Sequence, residues 1–172
     1  MELWEFHPTL IHFPIAFLIA AVCYDFYLWS RGDYRPSTVV NGLYITGVLT
    51  AAVAAAAGAL AFFTAPASFT EEAADMMWWH IGGAVTQFVL FAIIAIVRFR
   101  HRRTDSPSWT RILGLVATLV LIFAGYEGGY MVYHGATGIE PGVLARDLRA
   151  KQERKTEMAA KRATGDRETT TR

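Results

Sequence analysis

Cysteine is almost missing from this 172-residue sequence. Cys23 stands alone, so no intrachain disulfide can form and no C-x-x-C-H segment exists to attach haem covalently. Redox chemistry would therefore need a non-covalent cofactor. Charged residues make up only 18% of the chain. Most of the basic ones gather in two blocks, Arg98 to Arg111 and the tail after Arg146, and neither block is interleaved with aromatics as a nucleic-acid groove is. No nucleic-acid partner is expected. There is no G-x-S-x-G, no H-E-x-x-H and no phosphate loop, so an electron carrier or accessory subunit is expected rather than an enzyme. Glu2 and Glu5 stand where a cleaved signal peptide has its basic stretch, and no small-x-small cleavage site follows. The first apolar run is expected to stay.

What is abundant is apolar surface: 53% of residues are hydrophobic and the mean hydropathy is +0.29, well above a soluble average. Four runs are long enough to cross a bilayer core, which takes about 20 residues. They cover about 8–29, 39–63, 80–97 and 112–133. The fold class expected is all-α, an antiparallel four-helix transmembrane bundle over residues 1–138. A charged tail follows over 139–172, forming a short solvated helix from Pro141 to Arg162 and then a disordered Thr-rich end. The second run carries Gly47, Ala51, Ala54 and Gly58 at spacings of three or four. Such small faces let helices approach closely in lipid, so this one is read as a packing spine with no chemical role.

Seven arginines, Arg31, Arg35, Arg98, Arg100, Arg102, Arg103 and Arg111, lie in or beside the first and third connections, and the second connection holds Glu71, Glu72 and Asp75. By the positive-inside rule both termini are expected outside, and the expected location is a bacterial inner membrane with those termini in the periplasm. Four helices without an inverted repeat make a poor transporter.

With that topology four of the five histidines share the outer face. Measured from the arginines at about 1.5 Å per residue, His12 stands roughly 28 Å and His80 roughly 27 Å up, His7 and His134 roughly 36 and 34 Å, and Glu127 roughly 24 Å. His80 is taken as the start of the third helix. An acid inside a membrane helix should face the bundle interior, and Gly83, Gly128 and Gly129 clear space beside these residues. Singly, each histidine is an ordinary interfacial residue with a polar edge in water; together they form a constellation. A b-type haem would use His12 and His80 as axial ligands. A copper or zinc site would draw on His7, His12, His80, His134 and Glu127. A proton-relay or quinone pocket would use His and Glu near the interface, and a subunit docked by its tail onto a larger complex would need no cofactor. Asp25 should pair with Arg98 or Arg35, and Trp4, Phe6, Trp78, Trp79 and Tyr133 form an interfacial belt. Expected partners are the lipid bilayer, a periplasmic cytochrome or membrane redox complex, and further copies of the chain.

The opening HPTLIHFPIAF with Asp25, His80 and the ending GYEGGYMVYHGATGIE resembles a family of bacterial four-helix inner-membrane proteins of unknown function. Its pattern is a His-Pro-x-x-x-His-Phe-Pro-Ile opening and a Gly-x-x-Gly-Gly-x-x-Val-Tyr ending. The resemblance covers about Phe6 to Ile139. It marks His7, His12, Asp25, His80, Glu127, Gly128 and Gly129 as motif positions, and it implies an electron-transfer setting, because some members are joined to cytochrome-like modules.

Overall fold

A computed structural model describes residues 3–65, 71–104, 107–135, 137–138 and 141–170. After a single 3-10 turn (Leu3–Glu5) come α1 (Phe6–Leu10), α2 (His12–Ser30), α3 (Thr38–Thr64), α4 (Glu71–Arg100), α5 (Trp109–Gly135) and α6 (Pro141–Thr170). The described residues contain no strand. The chain divides into two units, residues 1–138 and 139–172. In the first, four helical spans are long and apolar enough to cross a membrane: Phe6–Ser30, Thr38–Thr64, Ala73–Arg100 and Trp109–Gly135. In the second, α6 is a single helix whose described side chains are all exposed. It runs eight residues past Arg162, so the Thr-rich stretch is helical as far as Thr170.

α1 and α2 form one nearly continuous rod. Pro14 has no N–H to give to Leu10, which marks the break at Ile11, yet Ile11 keeps helical angles and its neighbours keep the ladder, with Ile11 N to His7 O at 3.1 Å and Ile15 N to Ile11 O at 3.3 Å. α3 starts at Ser37, whose hydroxyl accepts from the Val40 N–H, as an N-cap should. α4 differs from expectation. It begins at Glu71, so His80 lies nine residues inside it rather than at its start. The acidic residues Glu71, Glu72 and Asp75 suit the positive end of a helix dipole, and the Ala and Met between them are good helix formers.

The bundle is held by side chains at alternating spacings of three and four, a period of 3.5 that keeps one seam facing its neighbour along each helix. The seams run Pro14, Leu18, Ala21, Asp25 on α2; Tyr44, Gly47, Ala51, Ala54 on α3; Gln87, Phe91, Ile94, Arg98 on α4; and Gly114, Ala117, Leu121, Ala124 on α5, all buried. Large apolar residues such as Leu49, Val53, Val85, Ile112 and Leu119 face outward, the distribution a lipid solvent favours. Gly47 earns its place: a Cβ there would lie 2.5 Å from Leu18 Cδ2, so α2 and α3 pack closer than any side chain would allow.

Candidate functional site

His7 and His80 meet at one end of the bundle. Their rings are 6.3 Å apart, centre to centre, with planes 83° apart. Each is half-buried, and each is held in the same way. His7 Nδ1 lies 2.8 Å from the carbonyl of Ala54 and His80 Nδ1 lies 2.7 Å from that of Ala124. A carbonyl oxygen only accepts, so Nδ1 carries the proton in both rings, and in the neutral imidazole the lone pair sits on Nε2. Four residues beyond each carbonyl a glycine makes room for the ring. A Cβ on Gly58 would stand 2.8 Å from His7 Cε1, and one on Gly128 would stand 3.0 Å from His80 Cε1 and Nδ1.

The device is therefore duplicated. An imidazole from the first helix of each hairpin rests on an Ala-x-x-x-Gly step of the second, Ala54 to Gly58 and Ala124 to Gly128. His7 and His80 are 73 residues apart, as are Asp25 and Arg98; Ala54 and Ala124, Gly58 and Gly128, and Asn41 and Arg111 are each 70 apart. The sequence reading found no inverted repeat; what the structure contains is a parallel one, hairpin on hairpin.

His12 is exposed and does not join His80. At 100° per residue, five residues place it about 140° around the rod from His7, so only one of the two can face inward. His7 has the phase of Leu18, eleven residues on, and turns in. His134 is also exposed and stacks on Tyr130 of its own helix, with ring centres 4.0 Å apart and planes 13° apart. Of the glycines expected to clear space, Gly128 receives the His80 ring, Gly83 sets the approach of α4 to Ala124 with a Cβ distance of 3.0 Å, and a Cβ on Gly129 would meet nothing within 4 Å. Glu127 is buried, as an intramembrane acid should be, and its Oε2 has no hydrogen-bond partner. Its repeat-equivalent position holds Ala57, so the motif itself requires no carboxylate there. Among the described residues no three His, Cys, Asp or Glu side chains come together to hold a metal. Cys23 is exposed on the bundle surface.

The opposite end holds the repeat-equivalent charges. Asp25 takes a hydrogen bond from Arg98 Nη1 at 2.8 Å and a longer ion contact from Arg111 Nε at 3.4 Å. Arg98 also donates from Nε to Asn41 Oδ1 at 3.1 Å, reaches Thr110 Oγ1 at 3.5 Å, and lies over the Tyr44 ring. Asp25 and Arg98 are 2% exposed and Arg111 6%. The expected Asp25–Arg98 pair is present. Arg98 and Arg111, read from sequence as loop charges, are instead buried bundle residues: Arg98 continues the α4 seam, and Arg111 stands beside Thr110, which continues that of α5. Asn41 and Thr110 escaped the sequence reading; Thr110 and Gly58 continue the seams of α5 and α3, whereas Asn41 and Arg111 each stand one residue beside them.

No curated protein and no solved structure matches the sequence. A family model does match, over residues 5–141, which take in both hairpins and the histidine site. The chain belongs to the family described as "Predicted membrane protein (DUF2231)".

Proposed function

We propose that this multi-pass membrane protein is an electron carrier that holds the iron of a b-type haem between His7 and His80. The observation that carries the reading is the donor set: two imidazoles from different helices, each with Nδ1–H fixed on a backbone carbonyl and its lone pair on Nε2. A carbonyl behind a ligating histidine fixes its tautomer and raises its basicity. The two rings come from different helices and lie 6.3 Å apart, so both would hold one group placed at this end of the bundle. Two protein ligands are what haem iron needs, since the macrocycle supplies the other four. Structural zinc takes four ligands, and no third acidic, thiol or imidazole group converges on this pair among the described residues. When bound, the haem supplies a one-electron couple. The protein's own part is to aim the rings and, through the glycines, to let them lie against the helix backbones.

Arg31, Arg35, Arg100, Arg102 and Arg103 flank the far end of the bundle. The positive-inside rule supports placing that end in the cytoplasm and the histidine end at the outer surface, within reach of a periplasmic carrier. A two-coordinate copper ion is the second reading, favoured by the same pair of nitrogens and the same separation.

The test is the visible spectrum of the detergent-purified protein, made with haem precursor supplied, oxidised and then dithionite-reduced, with metal analysis alongside. One haem per chain, a sharp Soret band and split reduced bands are expected. A colourless protein with stoichiometric copper would favour the second reading. A colourless, metal-free protein of full helical content would overturn both.

A further inference from the structure

The arginine end carries a groove that the haem reading does not use. Between α3 and α4 a cleft of about 270 Å³ is lined by Thr38, Asn41, Gly42 and Arg102. It shares Ile45 and Phe99 with a trough of about 370 Å³ that continues past Val48, Leu49, Ala92 and Ile96. The cleft carries the polar groups of Thr38, Asn41 and Arg102 on an otherwise apolar wall and lies where the spans end. The trough is apolar apart from Arg100 at its rim. From Asn41 to Leu49, or from Arg102 to Ala92, the groove descends eight to ten residues, roughly 12–15 Å, which is the depth of one leaflet of a core about 30 Å thick. Head and tail thus follow one another in the order and at the depth of a phospholipid.

Charge selects the headgroup. Arg102 lies over the Phe99 ring, 4.3 Å from its centre, and no carboxylate is among the described residues lining the cleft. Behind Asn41, Arg98 and Arg111 share the single carboxylate of Asp25, so the buried cluster has one positive charge in excess, and Arg98 Nε passes that field to the cleft through Asn41 Oδ1. The geometry points to a binding groove for one anionic phospholipid, its phosphate at Arg102, Asn41 and Thr38 and one acyl chain along Ile45 to Ala92. Basic pockets between membrane helices on the arginine-rich side recognise such headgroups, whereas a neutral head would leave the excess charge unanswered.

Two exposed positions test this without touching the core. A Cβ on Gly42 would meet nothing within 4 Å, so Gly42→Phe fills the cleft from its own wall, and Arg102→Gln removes the rim charge. The full chain is exchanged into micelles containing phosphatidylglycerol or phosphatidylcholine, and retained lipid is counted by native mass spectrometry. Wild type is expected to keep one phosphatidylglycerol in preference to phosphatidylcholine. Arg102→Gln should weaken that retention about fivefold, and Gly42→Phe should abolish it, both with unchanged helical content. Equal retention of the two lipids by wild type would overturn the proposal, as would two folded variants that hold phosphatidylglycerol like wild type. Equal stabilisation by inorganic phosphate alone would also overturn it, marking a site for a free anion rather than a lipid.

Discussion

At one end of the bundle Asp25, Arg98 and Arg111 are sealed between helices; at the other, His7 and His80 occupy the equivalent places in each hairpin. Both ends bring polar groups into an apolar bundle, but they settle them differently. At the charged end the partners are side chains: Asp25 neutralises one of the two guanidiniums that lean on it, while Arg111 Nε and the Tyr44 hydroxyl have no hydrogen-bond partner. At the histidine end the backbone supplies the partners. Ala54 and Ala124 carbonyls take one N–H each, which leaves two ring nitrogens with lone pairs and a buried carboxylate, Glu127, with one oxygen unpartnered. Ion pairs of Asp25 with Arg98 and Arg111 tie α2, α4 and α5 together. Two imidazoles anchored on backbone carbonyls beside a buried acid form the arrangement that a ligand would use.

The sharpest way to break the contrast is at the charged end. Asp25→Asn leaves Arg98 and Arg111 buried without their counter-charge, and losing one partner of a buried ion pair costs about 3–5 kcal/mol. Thermal unfolding followed by tryptophan fluorescence should show a large fall, and His7→Ala in the same assay a much smaller one. Overpacking comes next. Gly47→Ala puts a methyl group into Leu18 and should destabilise by about 1–3 kcal/mol. Gly128→Ala pushes on the His80 ring and should reduce retention of the proposed haem, while Gly129→Ala, facing open space, should leave it unchanged; spectra of the two variants decide. The smallest effect sharpens the comparison from the other side. Glu127→Ala installs the residue of the twin hairpin and relieves an unpartnered buried oxygen, so stability should hold or rise by about 1 kcal/mol. A marked loss of stability would make Glu127 a structural group.

The helices were legible because about 20 apolar residues are needed to cross a bilayer and little else in a sequence looks like that. The site was legible in part. Height along a helix can be counted from the arginines, and on that ruler His12 and His80 are level; rotation around the helix decides which residue meets which, and it selects His7. That phase is present in the sequence, eleven residues before Leu18 and seven before Pro14, but it becomes decisive only once the buried seam is known. The start of α4 was missed because Glu71 to Met77 is too polar to count as a span although it is a good helix. The repeat was hidden because its twins differ chemically, Asp25 against Arg98, Leu18 against Phe91, Asn41 against Arg111, and because its offset changes from 73 to 70 between the first and second helices of the hairpin. What no pattern reveals is a missing partner. That Glu127 Oε2 has none is a property of the packed bundle.

The central claim is that His7, rather than its neighbour His12, faces His80 across the site. The most direct test is the cofactor content of His7→Ala and His12→Ala, purified side by side with His80→Ala as reference and read from their absorption spectra. Loss of the Soret band in His7→Ala and His80→Ala with a full band in His12→Ala is the expected result. A full band in His7→Ala and an empty spectrum in His12→Ala would contradict it.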